Sequence, residues 1–303
     1  MKTLIIKSNE DSFERYFSKN MKKKNVDIGT IKKGKGNLEF LRKVINKLQI
    51  TSLYAFWLDS WKKKIKEYDN IIIFDRVLSL TLVKWIISNN KKCNLKIWLW
   101  NIPNFDVNFY KKYAEIFCFD KEYSIKHKIN FIDQFYIPVS KEKCKVMSGE
   151  GVIYVGYDKN RYAMLRKIAK TFNKQNIPFY FALQKNKKVK YDCSSSEIDL
   201  LDSPIKYDDL VERTKKFKGI LELNVNGQTG ITLRSLESIF YKKKLITNNV
   251  YIKKYPFYNK NNYYILGVEN RSIREFLNAE YQEISTELLK KYSYDSWLKA
   301  ILQ

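Results

Sequence analysis

With 303 residues, 45% of them hydrophobic and 15% aromatic, the chain is long enough for two domains with a core each, and its composition excludes disorder as the default. The net charge of +25 points to anionic partners, although the abundance of Lys, Asn, Ile and Tyr also fits drift toward A/T-rich codons. Cysteines at 93, 118, 144 and 193 show neither metal-ligand spacing nor disulfide density, and no apolar run nears the ~20 residues that span a bilayer, so a cytoplasmic protein with at most peripheral contact at the inner membrane face is expected.

In chain order, "TLIIK" at 3–7 reads as a buried strand and "SFERYFSKNMKKK" as the helix completing a βα unit. "LEFLRKVINKL" follows as a helix, "DNIIIFD" as a strand ending in Asp75, "LSLTLVKWIIS" as a helix, "NLKIWLWN" as a strand, and "AEIFCFD" as a strand containing Cys118 and ending in Asp120. Apolar periodicity lapses over 136–152, where Pro138, Gly149 and Gly151 stand, so a domain over 1–140 is expected to end there.

A second domain, over 150–275, opens with "VIYVG" ending at Gly156 and continues through the helix "NRYAMLRKIAKTFNKQ" and the strand "PFYFAL". In the helix "YDDLVERTKKF", Asp208 and Asp209 suit the positive end of the dipole. Next come the strand "GILELNV", a glycine turn with its helix, and the strands "KLITNN" and "NYYILG"; helices over 276–303 close the chain. Alternating strands and helices in both halves predict an α/β protein of two doubly wound parallel sheets facing each other.

In open parallel sheets ligands sit beyond the carboxyl ends of the strands. There Gly227 and Gly230 would let the backbone approach a phosphate, with hydroxyls from Thr229 and Thr232 and a forked charge from Arg234. Glu237, a helical turn on, would suit ribose hydroxyls. The competing reading is a tight loop with Thr229 as helix cap. A second turn, Gly156 followed by Lys159 and Arg161 ahead of a helix, also carries cations, and the two turns together favour a nucleoside diphosphate.

The run "GILELNVNGQTGITLRSLESIFYKKKLITNN", with "YPFYNKNNYYILG" after it and "IFCFDKEYSIKHKINFIDQFYIP" before it, resembles bacterial glycosyltransferases of capsule and lipopolysaccharide biosynthesis. The likeness runs from Ile116 to Gly267 and is weak over the first hundred residues. It implies the two-Rossmann-domain architecture called GT-B, with a nucleotide-sugar donor in the second domain and a glycan or lipid-linked acceptor facing the first. By position, Gly227, Gln228, Thr229, Gly230, Thr232 and Arg234 would meet the diphosphate and Glu237 the ribose. Asn224 and Asn226 depart from the Asp or His that often precedes this turn in the family.

Such transfer needs a neutralised leaving group and a base for the acceptor hydroxyl. Backbone amides with Arg234, Lys159 and Arg161 would serve the first without a metal, in keeping with the lack of an Asp-x-Asp triplet; no cofactor beyond the donor is expected. Asp11, Asp75 and Asp120, each after a strand of the first domain, are candidates for the base, and each is equally a candidate helix cap. The lone His127, among lysines, reads as a surface residue. The lysine runs "MKKK", "WKKKIK" and "YKKK", near aromatics, suit an anionic membrane. A basic nucleic-acid-binding protein is the rival reading; it has the charge but no reader motif. A non-catalytic nucleotide-sugar-binding module would keep the glycine turns and lose the base.

Overall fold

The computed structural model describes all residues except 33–35, 140–148, 187–188, 193–196 and 226. The chain forms two compact units, Met1–Asp133 with Trp297–Gln303, and Gln134–Ser296. Much of the segment expected to separate the domains, including Cys144, lies outside the described residues, as do Cys193 and Asn226.

In the first unit β1 (Thr3–Ile6), α1 (Ser12–Met21), β2 (Val26–Gly29), α2 (Asn37–Lys47), α3 (Thr51–Tyr54), β3 (Asn70–Phe74) and α4 (Leu80–Asn89) follow one another. They lead to β4 (Asn94–Leu99), α5 (Asn108–Lys111), β5 (Glu115–Cys118), α6 (Lys121–His127) and β6 (Asn130–Phe131). The sheet is parallel, in the order β2-β1-β3-β4-β5-β6. Its central strands are buried along their whole length, which is why they read as unbroken Ile and Leu runs and not as alternation.

The second unit holds β7 (Val152–Tyr157), α7 (Tyr162–Lys174), β8 (Phe179–Gln184), β9 (Asp199–Leu201), α8 (Tyr207–Lys215) and β10 (Gly219–Glu222). These are followed by α9 (Leu233–Phe240), β11 (Lys244–Thr247), β12 (Tyr263–Ile265), α10 (Ile273–Asn278) and α11 (Thr286–Lys291). The last helix, α12 (Tyr294–Leu302), starts in this unit and finishes in the first. This sheet too is parallel, in the order β12-β11-β10-β7-β8-β9, so the chain reverses direction across the sheet between β7 and β10. In the first sheet the reversal falls between β1 and β3. Each is a topological switch point, where the flanking connections splay apart and leave a crevice beyond the strand ends.

Candidate functional site

At the switch point of the second sheet, β10 stops at Glu222, three residues short of the expected "GILELNV" strand. The cause lies in Asn248, whose side chain replaces a neighbouring backbone: its Oδ1 accepts from Asn224 N (2.7 Å) and its Nδ2 donates to Asn224 O (3.2 Å). Asn249 Nδ2 then holds Thr229 O at 3.1 Å, so the two asparagines after β11 pin both ends of the glycine turn. Within the turn Gln228 N bonds Val225 O, and Gly227 has φ +85° with open space where a Cβ would stand. Gly227 is thus required by conformation and not by crowding. Gly230 is buried beside it.

Thr232, and not Thr229, caps α9. Its Oγ1 accepts from Arg234 N (3.0 Å) and Ser235 N (3.5 Å) while its proton goes to Glu222. A hydroxyl has one proton, so Thr232 holds the helix start and has none to offer a phosphate. Glu222, 2% exposed, also accepts from Ser235 Oγ and Thr247 Oγ1, both at 2.6 Å. The acid that ties β10, α9 and β11 together stands out in the sequence as the single charge in an apolar strand.

Arg234 is the side chain that joins the two turns. Its Nη2 donates to Val155 O of β7 at 3.2 Å, and its Nη1 pairs with Glu237. Burial opposes the guanidinium charge, but Glu237 and the nearby tyrosines more than offset it and the pKa is raised. Glu237 is only 2% exposed and its other oxygen accepts from Tyr207 Oη at 3.0 Å. Tyr207 meets Tyr136 Oη (2.8 Å), which bonds Tyr241 Oη (3.0 Å), which accepts from Val139 N (2.9 Å). The Glu237 carboxylate, expected to face a ribose, is thus engaged on one oxygen by Arg234 and on the other by Tyr207.

The β7 turn differs from its sequence reading as well. Lys159 and Asn160 take left-handed φ values of +41° and +65°, and the buried Asp158 accepts from Arg161 N and Tyr162 N at 3.0 Å. Those are the amides a phosphate at the start of α7 would need. Tyr191 Oη holds the other Asp158 oxygen at 2.7 Å. Gly156 is small for a packing reason: a Cβ there would stand 3.0 Å from Tyr154 Oη.

Several buried polar atoms at this strand edge have no hydrogen-bond partner among the described residues: Tyr154 Oη, Arg161 Nε, Gln184 Oε1 and both amide atoms of Asn224. Burial raises the Tyr154 phenol pKa, and the Arg161 guanidinium beside it pulls the other way through its charge and a side-chain contact too loose to satisfy the buried oxygen. Buried polar groups are rarely left unpaired, and these belong to β7, the turn after it, the end of β8 and the second residue beyond β10.

In the first unit the switch point is lined by carboxylates. Asp11 caps α1 through Glu14 N (2.8 Å) and accepts from Arg76 Nη1 at 2.8 Å; Arg76 also reaches Glu14. Lys7, 1% exposed, lies behind them, held by Glu14 and by Ser8 O and Glu14 O; its burial lowers its pKa, against the pull of Glu14. Asp75, at the end of β3, accepts from Asn101 N (3.1 Å), Asn101 Nδ2 (3.3 Å) and Arg76 N (2.9 Å). Desolvation outweighs those bonds and pushes its pKa up to about 6. Asp120 follows β5, away from the switch point, and is 0% exposed with its Oδ1 capping α6 at Tyr123 N. It is a structural cap inaccessible to an acceptor. His127 stacks on Tyr123, with ring centroids 4.1 Å apart.

No family model matches the chain, and no curated protein matches it. Among solved structures, the DNA modifying enzyme beta-glucosyltransferase, studied with and without uridine diphosphoglucose, aligns over 100% of both chains with TM-score 0.53 and 14% identity. A T4 phage BGT in complex with UDP and Mn2+ gives TM-score 0.49 at 13% identity over 99% of each chain. A glycotransferase of kitacinnamycin gives 0.44 at 8% identity, over 99% of this chain and 94% of its own. The first of these alignments, spanning both chains entirely, shows what the two sheets already indicate: the chain has the two-Rossmann-domain fold called GT-B.

Proposed function

We propose that the protein is a glycosyltransferase that takes a sugar from a nucleotide-sugar donor, bound at the β7/β10 switch point, and passes it to a hydroxyl of a glycan or glycolipid acceptor. The observation that carries this reading is the set of buried polar atoms on Tyr154, Arg161, Gln184 and Asn224 without partners among the described residues, on β7, the turn after it, the end of β8 and the segment after β10, with Arg234 reaching Val155 O of β7. Leaving them unpaired costs stability, and a polar ligand with phosphates and hydroxyls would satisfy them. That the aligned DNA modifying enzyme was studied with uridine diphosphoglucose agrees with such a ligand on this fold.

In the proposed reaction Asp75 accepts the proton of the acceptor hydroxyl as its oxygen attacks the anomeric carbon. The bond from that carbon to the donor phosphate breaks, and its electron pair leaves on the diphosphate. Arg234, with Lys159 and Arg161, stabilises that growing charge through fixed donors, with no metal required. A carboxyl whose pKa is about 6 suits a base at neutral pH, being ionised yet still ready to take a proton. The cell-surface setting, capsule or lipopolysaccharide, rests on the motif resemblance, and with it a location at the cytoplasmic face of the membrane.

The test is a panel of UDP, GDP, CMP and TDP sugars, followed by thermal shift and by donor hydrolysis, with and without a chelator. One nucleotide class should raise the melting temperature and be hydrolysed slowly, equally in both conditions. If no nucleotide sugar shifts the melt, the reading is wrong. A nucleic-acid acceptor is the second reading, favoured by the +25 charge and by the likeness in fold to a DNA modifying enzyme. Sugar transfer to duplex DNA would establish it.

A further inference from the structure

Large apolar side chains left in water are concentrated in one stretch of the first unit: Leu38 is 51% exposed, Phe40 71%, Leu41 46%, Leu48 64%, Leu53 55% and Phe56 71%. The pattern within α2 is directional. Phe40, Leu41, Val44 and Leu48 recur at the spacing of one helix face, whereas Ile45 is the one fully buried side chain of that helix. The helix is amphipathic, with Phe40, Leu41 and Leu48 of its apolar stripe in solvent and Val44 between them half-buried. An exposed stripe of this kind contributes nothing to the core and marks a contact surface.

Charge identifies what the surface fits. Lys43 and Lys47 are exposed along the same helix, and α2 carries three Lys or Arg against one acid. That acid, Glu39, is paired with Arg42 at 2.6 Å, so the lysines are left as the charge of this face. We propose that this face docks on an anionic lipid surface, with Phe40, Leu41 and Leu48 entering the headgroup and acyl boundary and the lysines meeting lipid phosphates. A nucleic-acid duplex would satisfy the lysines but offers the phenylalanine and leucines no way out of water; a lipid surface takes both.

The assignment differs from what the lysine runs suggest. Lys22, Lys23 and Lys24 are exposed, but Lys243 and Lys244 of the "YKKK" run are buried, as are Trp61 and Tyr241, the aromatics beside the second and third runs. Lys244 Nζ is held by Asn261 O and Phe276 O. The proposal is independent of the glycosyltransferase reading, since it uses no residue of either switch point.

Flotation with vesicles tests it. The wild type should float with vesicles of mixed phosphatidylcholine and phosphatidylglycerol and stay behind with phosphatidylcholine alone. Phe40→Ser with Leu48→Ser should lower partition roughly tenfold or more. Lys43→Gln with Lys47→Gln should lower it too and weaken its dependence on salt. Both pairs should keep the wild-type melting temperature and, in solution, the wild-type response to nucleotide sugars. Failure of the wild type to float, equal flotation with neutral vesicles, or wild-type flotation of the Phe40/Leu48 variant would each overturn the proposal. Duplex DNA binding that falls with that same variant would also overturn it, by making the face a nucleic-acid surface.

Discussion

The two switch points sit on sheets of the same size and direction yet are furnished in opposite ways. In the first unit the crevice between β1 and β3 gathers Asp11, Glu14 and Asp75, with Lys7 and Arg76 as their partners. In the second, between β7 and β10, the acids Asp158, Glu222 and Glu237 are buried and spent on internal bonds, and the groups left over are an arginine, a phenol and amides. One crevice keeps an ionisable carboxylate on offer and the other keeps a cation with neutral donors and acceptors. The strand orders carry part of this difference: in both sheets the second strand of the unit flanks the first, but across the switch point the first strand meets the third in one sheet, β1 beside β3, and the fourth in the other, β7 beside β10. Sheet topology therefore decides which loops become neighbours, and the loops decide the chemistry.

The sharpest way to break this comparison is Asp75. If it is the base, Asp75→Asn should lower turnover by ~10²- to 10⁴-fold with donor affinity unchanged, read by initial rates and calorimetric titration. The wild-type rate should fall below pH about 6, where the carboxyl gains its proton, and level off above it. The linkage has the opposite sign for stability. A carboxyl with a raised pKa binds its proton more tightly folded than unfolded, so Asp75 contributes stability below about pH 4, and this is lost as pH rises through about 6, amounting to about 3 kcal/mol at most. Thermal melts of Asp75→Asn across that window should lack this decline. An acid limb that persists in the variant would assign it to another group.

Arg234 probes the other crevice, and the structure changes what its removal should do. Arg234→Ala leaves Glu237 buried without its cation, so a loss of about 3 kcal/mol in folding stability is expected, the low end for breaking a buried pair because the guanidinium is 24% exposed. Adding Glu237→Gln should recover most of the stability but not the donor affinity, which should stay down by ~1.5–3 kcal/mol. Urea unfolding and calorimetry on the single and double variants separate the two. Recovery of both by the second substitution would reduce Arg234 to a structural ion-pair partner.

The smallest effect is the most discriminating about the unpaired groups. Asn224→Ala removes two buried polar atoms without partners while its backbone stays bonded to Asn248. Stability should hold or rise by up to ~1 kcal/mol, and donor affinity should fall by about the same. A loss of stability with unchanged binding would mean that Asn224 serves the fold.

Much of the architecture is legible in the chain because buried parallel strands announce themselves. "IIIF", "IWL" and "VIYVG" are apolar without alternation, the helices between them keep their period, and such alternation of elements has few solutions. The turn after β10 is legible as well, since glycines and a cap residue ahead of a helix are local chemistry. What each acid does there is not. Thr229 and Thr232 look interchangeable in sequence, and only the Glu222 carboxylate ten residues back makes Thr232 the cap. Asp11, Asp75 and Asp120 all follow strands, and what separates them is sheet position and burial, which bring Arg76 to Asp11, desolvate Asp75 and seal Asp120 inside. The sequence by itself determined two wound sheets, their order of elements and the place of the glycine turn, because backbone propensity and hydrophobic period act over a few residues. Tertiary structure alone decided which carboxylate is buried, which is paired and which is left available, because charge and desolvation depend on neighbours tens of residues away in the chain.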